Sequence, residues 1–153
     1  MNVDEYFMSL ALEEALKAYD KREVPIGAVI VRDNKVISVG HNLRECLKDA
    51  TAHAELIAIK EACDALGGWR LTNTTLYATI EPCPMCAGAI LQSRIQRVVI
   101  GSMDPKAGAC GSIVNLLNMN DFNHQVEITT GVLEEECADI MRRFFKELRN
   151  KGK

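Results

Sequence analysis

The chain is organised around one stretch, Glu81-Pro82-Cys83-Pro84-Met85-Cys86. Proline is well accommodated at the first position of a helix, so this stretch predicts that a strand ends and a helix begins here. The two cysteines would then lie near a helix N-terminus, where the partial positive charge lowers the pKa of a thiol and favours the thiolate. The pair is therefore half of a metal site or half of a redox site.

Apolar periodicity on both sides of this stretch predicts alternating strands and helices. Strands are predicted at residues 26–31, 36–39, 74–80, 97–101 and 126–130, and helices at residues 3–19, 51–66, 84 onward and 132–148, with a short one at 113–117. Asp33 and Asn34 tolerate the positive φ of a tight hairpin turn, so the first two strands should pair antiparallel. Strands that alternate with helices from residue 53 onward imply parallel neighbours. We expect one domain over residues 1–153, a three-layer α/β/α sandwich with a mixed five-stranded sheet whose remaining strands are parallel.

The composition, 48% hydrophobic and 25% charged, is typical of a soluble globular protein. Asp4, Glu13 and Glu14 interrupt the N-terminal region, which therefore lacks the pattern of a signal peptide, and no apolar run reaches membrane-spanning length. We expect a cytoplasmic protein with no membrane partner and with reduced cysteines. A disulfide framework stays an alternative, although the cysteine spacing is irregular.

The charge is unevenly distributed. The net charge of −3 at first argues against a nucleic-acid partner. Residues 141–153, however, carry basic side chains against Glu147 alone: Arg142, Arg143, Lys146, Arg149, Lys151 and Lys153. Such a basic tail is compatible with phosphate contacts at one edge. The alternative is a solvated helix end, where basic side chains interact favourably with the helix dipole.

The best candidate for the second half of a metal site is the segment 51–55, which contains His53 and Glu55. Histidine and cysteine are both zinc ligands. A predicted helix and strand separate His53 from Cys83, so the fold would bring the ligands together, which favours a catalytic site over a structural one. Residues two apart on a regular helix point to different sides, and Thr51 as N-cap would place His53 and Glu55 at an irregular helix start.

His53, Cys83 and Cys86 would leave the fourth position of a zinc ion for water, whose pKa zinc lowers from about 15.7 toward about 7. Glu55, which is not a ligand in this scheme, could then take and pass on the proton of that water. Other interpretations stay open: a redox Cys pair, a helix cap at His53, or a closed structural site that adds Cys110 or His41.

The order H-x-E followed by P-C-x-x-C is the signature of zinc deaminases. The sequence resembles the bacterial tRNA-specific adenosine deaminases, a family of the cytidine-deaminase-like superfamily, over nearly the whole chain. The segments that carry the resemblance are 23–29, 51–55, 81–90, 93–95, 97–99, 104–112 and 123–128. The H-x-E and P-C-x-x-C motifs are shared by the superfamily, whereas segments 104–112 and 123–128 resemble the tRNA enzymes in particular.

The resemblance implies a cytidine-deaminase-like fold and one Zn²⁺ per chain. It also implies hydrolytic conversion of adenosine to inosine at the wobble position of a tRNA anticodon, with Glu55 moving the proton. The implied partner is the anticodon stem-loop, whose unpaired bases are exposed at low cost. The implied assembly is a homodimer.

Further site residues follow from the same resemblance: Asn42 for the nucleoside, Ile26 as an apolar wall, Asp104 and Lys106 beside the target nucleotide, and Phe144, Phe145 and Arg149 on the terminal helix near the anticodon. Each has a structural alternative. Asparagine and an Asp-Pro pair are common in turns, and isoleucine and phenylalanine are most often core residues.

The sequence departs from the family pattern at residues 43–48, which include Cys46 and no proline, and in a short tail after Asn150. Two alternative functions also stay open at this stage. One is a deaminase of a free base or nucleoside, of the guanine or cytosine type, on the same fold. The other is a zinc-stabilised binding module without catalysis, for which Glu55 would have no purpose.

Overall fold

A computed structural model of the chain describes residues 1–151, so Lys153 of the predicted basic tail lies outside the described residues. The helices are α1 (Val3–Asp20), α2 (Arg44–Leu47), α3 (Ala54–Leu66), α4 (Pro84–Ser93) and α5 (Glu134–Lys151), with a 3-10 turn at Leu116–Asn118. The strands are β1 (Gly27–Arg32), β2 (Lys35–His41), β3 (Thr75–Ile80), β4 (Arg97–Ser102) and β5 (Glu127–Thr130).

The strands form one sheet in the order β2-β1-β3-β4-β5. The hairpin β1–β2 is antiparallel, and its turn residues Asp33 and Asn34 have φ values of 51° and 60°, as their residue types predict. Strand β1 also runs antiparallel to β3, whereas β3, β4 and β5 are mutually parallel. The predicted mixed five-stranded sheet is therefore confirmed.

Alternate residues of the central strands point to opposite faces of the sheet, and each face packs on helices. The face that bears Ile30 and Leu76 packs against α3 and α4. The opposite face, with Val29 and Tyr77, packs against α1 and α5. The two apolar clusters make the three-layer α/β/α sandwich that the sequence predicts, and they fix α3 and α4 on the same side of the sheet.

A close approach between α3 and β2 positions the start of α3. A Cβ atom added at Gly40 would overlap the carbonyl oxygen of Ala54 and crowd the amide nitrogen of Ala58. Glycine at this position therefore lets the first turn of α3 lie directly on the sheet. His53 and Glu55, at that first turn, are held in place by this contact.

Two local predictions were wrong. The third helix begins at Ala54, with His53 as the N-cap, and Thr51 instead bonds to the Asp49 carboxylate through its amide and hydroxyl at 2.8 and 2.7 Å. The short helix expected at 113–117 is the 3-10 turn Leu116–Asn118, which begins after Asn115 caps the amide of Leu117. At the first place the bonds of Thr51 to Asp49 hold a turn before the helix. At the second place the Asn115 cap fixes the start of the 3-10 turn at Leu116.

No helix among residues 1–151 is long and apolar enough to cross a membrane. All six cysteines lie within this range, and all are free thiols.

Candidate active site

Three potential metal ligands meet where the N-termini of α3 and α4 face each other. The Nδ1 atom of His53 lies 3.7 Å from the Sγ atom of Cys83 and 3.5 Å from that of Cys86. All three donor atoms lie within 4.8 Å of one another, and they form the one such cluster that the described residues contain. The structure therefore brings together the three ligands that the sequence predicts.

The donor set fits a tetrahedral zinc ion. Zinc bonds of about 2.3 Å to sulfur and about 2.0 Å to nitrogen place a nitrogen about 3.5 Å from a sulfur at a tetrahedral angle. The observed distances of 3.5 and 3.7 Å match this value. Two sulfurs and one imidazole nitrogen are also the ligand types that zinc prefers, and three of them leave one coordination position open.

One thiol of the cysteine pair ionises readily, whereas the second ionises only when a cation is bound beside it. A hydrogen bond from the Cys86 thiol lowers the pKa of Cys83 to about 5. The same hydrogen bond, together with burial, raises the pKa of Cys86 far above its ordinary value. A bound divalent cation removes this conflict, because a coordinating thiol is deprotonated outright. The protonation of the pair therefore also fits a metal site.

The residues proposed to close a four-ligand site are engaged elsewhere. Cys110 is buried, and its Sγ atom lies 3.9 Å from the carbonyl oxygen of Pro82. The His41 ring contacts the Glu14 carboxylate at 3.0 Å and the Lys21 amine at 2.9 Å. Neither joins the cluster within the part of the chain that is described. This arrangement favours an open, three-ligand site.

Glu55 is buried on the same wall as the ligands and lines the same cavity as His53 and Cys83. Burial raises the pKa of Glu55 to about 7, and the negative charge of Cys83 acts in the same direction. A carboxyl group whose pKa is close to neutral is suited both to accept and to release a proton. Glu55 thus has the environment that a proton shuttle needs.

His53 and Glu55 face one cavity because the helix starts between them. His53, as N-cap, has an extended backbone with φ −83° and ψ 149°, whereas Glu55 is already helical. The side chain of His53 makes no capping bond. The Oδ1 atom of Asn42 instead accepts from the amide of Ala54 at 2.8 Å. A residue distant in the sequence thereby caps α3 and frees the His53 ring for the metal cluster.

A cavity of about 1000 Å³ opens in front of the cluster. Its walls come from the segment before β1, the segment after β2, the start of α3, the C-terminal ends of β3 and β4 with the segments that follow them, and α5. The predicted site residues among its lining are Ile26, Asn42, His53, Glu55, Cys83, Asp104, Lys106, Phe145 and Arg149. Basic side chains from three different segments, Arg44, Lys106 and Arg149, lie around the same cavity as the potential metal ligands His53 and Cys83.

Phe144 is placed apart from the other predicted residues. It is buried, and its ring packs edge-on against Tyr19 of α1 with centroids 5.7 Å apart. Phe145, the next residue on α5, is partly exposed and lines the cavity. Consecutive helical residues point about 100° apart, so the two phenylalanines serve different faces of the helix.

Asp104 turns the loop after β4. Its Oδ1 atom accepts from the amides of Lys106 and Ala107 at 3.0 and 3.3 Å, which is the turn that an Asp-Pro pair favours. Lys106 is exposed at the cavity rim. Asp104 therefore shapes the loop that presents Lys106.

Residues 43–48, the segment that departs from the family pattern, contain the short helix α2. The carboxylate of Glu23 accepts from the amides of Glu45 and Cys46 at 3.0 and 2.7 Å and so fixes this segment. Arg44 is brought to the cavity by this arrangement. No local sequence signal predicts this position of Arg44, because only the tertiary contact of its segment with the buried Glu23 places it there.

Glu81 is the second cavity residue whose contacts the sequence did not predict. Its buried carboxylate accepts from the amides of Asp104, Cys110 and Ser112 at 2.8, 3.0 and 3.0 Å and from the Ser112 hydroxyl. Burial alone would raise the pKa of Glu81, but the bonds from Ser112, Asp104 and Cys110 outweigh it and lower the pKa. An acidic residue directly after a buried strand was the available signal.

Comparison with known proteins gives the family. Residues 1–149 match the MafB19-like deaminases. The chain is 54% identical over 153 residues to the tRNA-specific adenosine deaminase of Bacillus subtilis (strain 168), a match that covers 100% of this chain and 95% of that protein. The chain belongs to the tRNA-specific adenosine deaminases. A second member of this deaminase family, from Streptococcus pyogenes serotype M18, is 47% identical over 97% of this chain and 93% of its own length.

Solved structures agree with the deaminase assignment. One comes from biochemical and structural studies of A-to-I editing by tRNA:A34 deaminases at the wobble position of transfer RNA; it has a TM-score of 0.85 and 47% identity over 88% of this chain and 98% of that chain. A mutant of NE0047 in complex with 8-azaguanine has a TM-score of 0.79, over 92% of this chain and 83% of that chain, at 22% identity. The second likeness shows the shared fold alone. The family resemblance inferred from the sequence is thus confirmed.

Proposed function

We propose that this protein is a zinc-dependent enzyme that hydrolyses adenosine to inosine and ammonia at the wobble position of a tRNA anticodon. One observation carries the proposal. Three metal-ligand atoms converge on a cavity whose same wall holds the buried, non-ligating carboxyl group of Glu55. A structural zinc site needs no such carboxyl group, so this arrangement supports catalysis.

His53, Cys83 and Cys86 would hold one zinc ion per chain, with the three-ligand set leaving a position free. Zinc, when bound in such a site, lowers the pKa of water to near 7 and thereby supplies the nucleophile of a hydrolysis. Glu55 is placed to carry one proton from the attacking water to the purine N1, and then a second proton from the new hydroxyl at C6 to the leaving amine. Its pKa of about 7 suits both transfers at neutral pH.

The walls of the cavity suit an adenosine that has been extruded from its neighbours. Ile26 contributes apolar surface, and Asn42 lies beside it. Because the Oδ1 atom of Asn42 caps α3, its amide nitrogen is the group left to donate to the base or ribose. A protein that acts on a base takes it out of the stack and encloses it, and an anticodon loop already presents unpaired bases.

Basic groups on three separate segments support an RNA substrate over a free base. Arg44, Lys106 and Arg149 line the cavity, and all three are exposed. A free base or nucleoside carries no phosphate for these groups to contact, whereas an anticodon stem-loop does. The high identity to proteins named as tRNA-specific adenosine deaminases supports the same substrate. A homodimer that works in the cytoplasm is part of this proposal, by analogy with the family.

The test is deamination of an anticodon stem-loop that carries adenosine at the wobble position. We expect inosine and a stoichiometry of one zinc per chain, measured by nucleoside chromatography and metal analysis. The matched substrate control moves the adenosine by one position in the same loop, and free adenosine tests the nucleoside alternative. Inosine formation at equal rates from all three substrates would overturn the tRNA proposal, and zinc without any inosine would favour the binding module.

A further inference from the structure

The carboxylate of Glu81 accepts four hydrogen bonds from the loop after β4. Its two carboxylate oxygens accept from three backbone amides, those of Asp104, Cys110 and Ser112, and from the Ser112 hydroxyl. These donors span the whole of residues 104–112. One buried carboxylate thus satisfies polar groups at both ends of the loop, which would otherwise be left unpaired.

The same loop is joined to the metal-binding turn. The amide of Ala109 donates to the carbonyl of Pro82 at 2.9 Å, and Cys83 follows directly. The other end of the loop lines the cavity, through residues 104–107. Glu81 and Pro82 therefore lie between a metal ligand on one side and a substrate-facing wall on the other.

Gly108 leaves the space that the Glu81 carboxylate occupies. A Cβ atom added at Gly108 would overlap the carboxyl group of Glu81. Gly108 is buried, so a larger residue there could move only by displacing the loop or the carboxylate. The absence of a side chain at residue 108 allows the loop to wrap around the acid.

We propose that Glu81 is a positioning residue that sets the distance between residues 104–107 and the metal ligand Cys83. The loop and the metal ligands are then held at a fixed distance from each other. The target nucleotide would bind between them, and no free energy would be needed to order the loop at each binding event. This inference rests on the proposed function, because the proposed target nucleotide is what the loop faces.

Glutamine at residue 81 keeps the shape of the side chain but presents an NH₂ group to donors and loses the ionised acceptor. In zinc-loaded Glu81→Gln we expect the KM for the stem-loop to rise on the order of tenfold or more, since bonds to a charged acceptor are lost. The value of kcat should change by less than about threefold, because the proton shuttle is untouched.

Hydrogen exchange provides a readout that does not depend on activity. In Glu81→Gln the amides of Asp104, Cys110 and Ser112 should exchange at least about tenfold faster, while amides of β3 and β4 keep their protection. A Gly108→Ala variant should show the same pattern, because its Cβ displaces the carboxylate. Gly68→Ala, at a glycine whose added Cβ meets nothing within 4 Å, is the matched control and should match wild type.

The outcomes separate this inference from the proposed function. If wild type makes no inosine from the stem-loop, the proposed function fails whatever Glu81 does. If wild type is active, an unchanged KM in Glu81→Gln overturns the positioning role. A lower kcat that follows a lower folded fraction, with KM unchanged, would also overturn it, because that pattern is general destabilisation.

Discussion

Glu55 and Glu81 border the same cavity and are both buried, yet their surroundings drive their pKa values in opposite directions. Burial raises the pKa of Glu55 to about 7. Around Glu81, three backbone amides and a hydroxyl reverse the effect of burial and lower the pKa. The difference shows that hydrogen-bond donors around a buried carboxyl group can outweigh the effect of burial and keep the group ionised.

The proposed function gives the two walls different tasks. The wall of His53, Glu55 and Cys83 would hold the groups for chemistry, whereas the wall of residues 104–107 and α5 would present the groups for recognition. Changes to the first wall should act on kcat and on metal content. Changes to the second should act on KM and on its salt dependence. Substitutions on each wall test this division.

Cys83→Ala should lose zinc and all detectable inosine formation, because two ligands do not make a stable site. Metal analysis and the stem-loop assay measure both losses. Cys63→Ala is the matched control, since Cys63 is a half-buried thiol on α3 outside the metal cluster. Retained zinc and activity in Cys83→Ala would contradict the metal assignment.

Glu55→Gln should keep zinc and fold but lower kcat by about 10²–10⁴-fold, the usual contribution of a general acid–base group. KM for the stem-loop should stay near the wild-type value, because the substituted group moves a proton. Single-turnover inosine formation by the zinc-loaded variant provides the measurement. Glu61→Gln, at an exposed position on the same helix, should behave as wild type. A loss carried by KM instead would assign Glu55 to recognition.

Arg149→Ala should raise KM for the stem-loop several-fold and reduce the slope of log KM against log salt concentration by about one, as expected for one lost phosphate contact. The matched control is Arg143→Ala on the same helix. Arg143 pairs with Asp139 at 3.2 Å, lies over the Tyr19 ring and is outside the cavity lining. Equal effects of the two variants would mean that the helix acts through its total charge rather than through the cavity face.

Asp4→Asn should reduce the free energy of unfolding by about 1 kcal/mol and leave kcat and KM unchanged. Asp4 binds Arg97 at 2.7 and 3.0 Å and Tyr77 at 2.8 Å, and none of the three residues lines the cavity. The bond from Arg97 lowers the pKa of Asp4 below its ordinary value of 3.8. The stabilisation is therefore full above that ordinary value and is lost as pH falls through the lower pKa of the folded state.

Urea unfolding of both proteins over a pH series tests this sign. The difference between wild type and Asp4→Asn should be largest near neutral pH and shrink in acid. A difference that grows as pH falls would contradict the assignment of Asp4 as an ionised partner of Arg97.

The metal ligands were predictable because each half-site is a local motif with fixed chemistry. The spacing of two cysteines at a helix start, and of a histidine two residues before a glutamate, is enough to indicate a zinc site of the deaminase type. The position of the helix start was less predictable. Thr51 was the expected cap, but it bonds to Asp49, and Asn42 from another segment caps α3 instead. Competition between nearby and distant hydrogen bonds is resolved only in the folded chain.

The residues that shape recognition were harder to find for the same reason. Phe144 and Phe145 are equivalent in sequence terms, and only the packing of α5 on Tyr19 turns the first away from the cavity. Arg44 reaches the cavity because Glu23 fixes its segment. These placements depend on contacts between segments that are distant in the sequence.

From the sequence alone, the stretch from Glu81 to Cys86, joined to His53 and Glu55, predicted a three-ligand zinc site with a proton shuttle and the fold that assembles it. The role that we propose for Glu81 within that stretch could be inferred only from the tertiary structure. Its role lies in the donors that surround it, and Asp104, Cys110 and Ser112 are brought to it by the folding of the loop. Ligand identity is a local property of residue type, whereas the protonation and the partners of a buried carboxylate are properties of its environment.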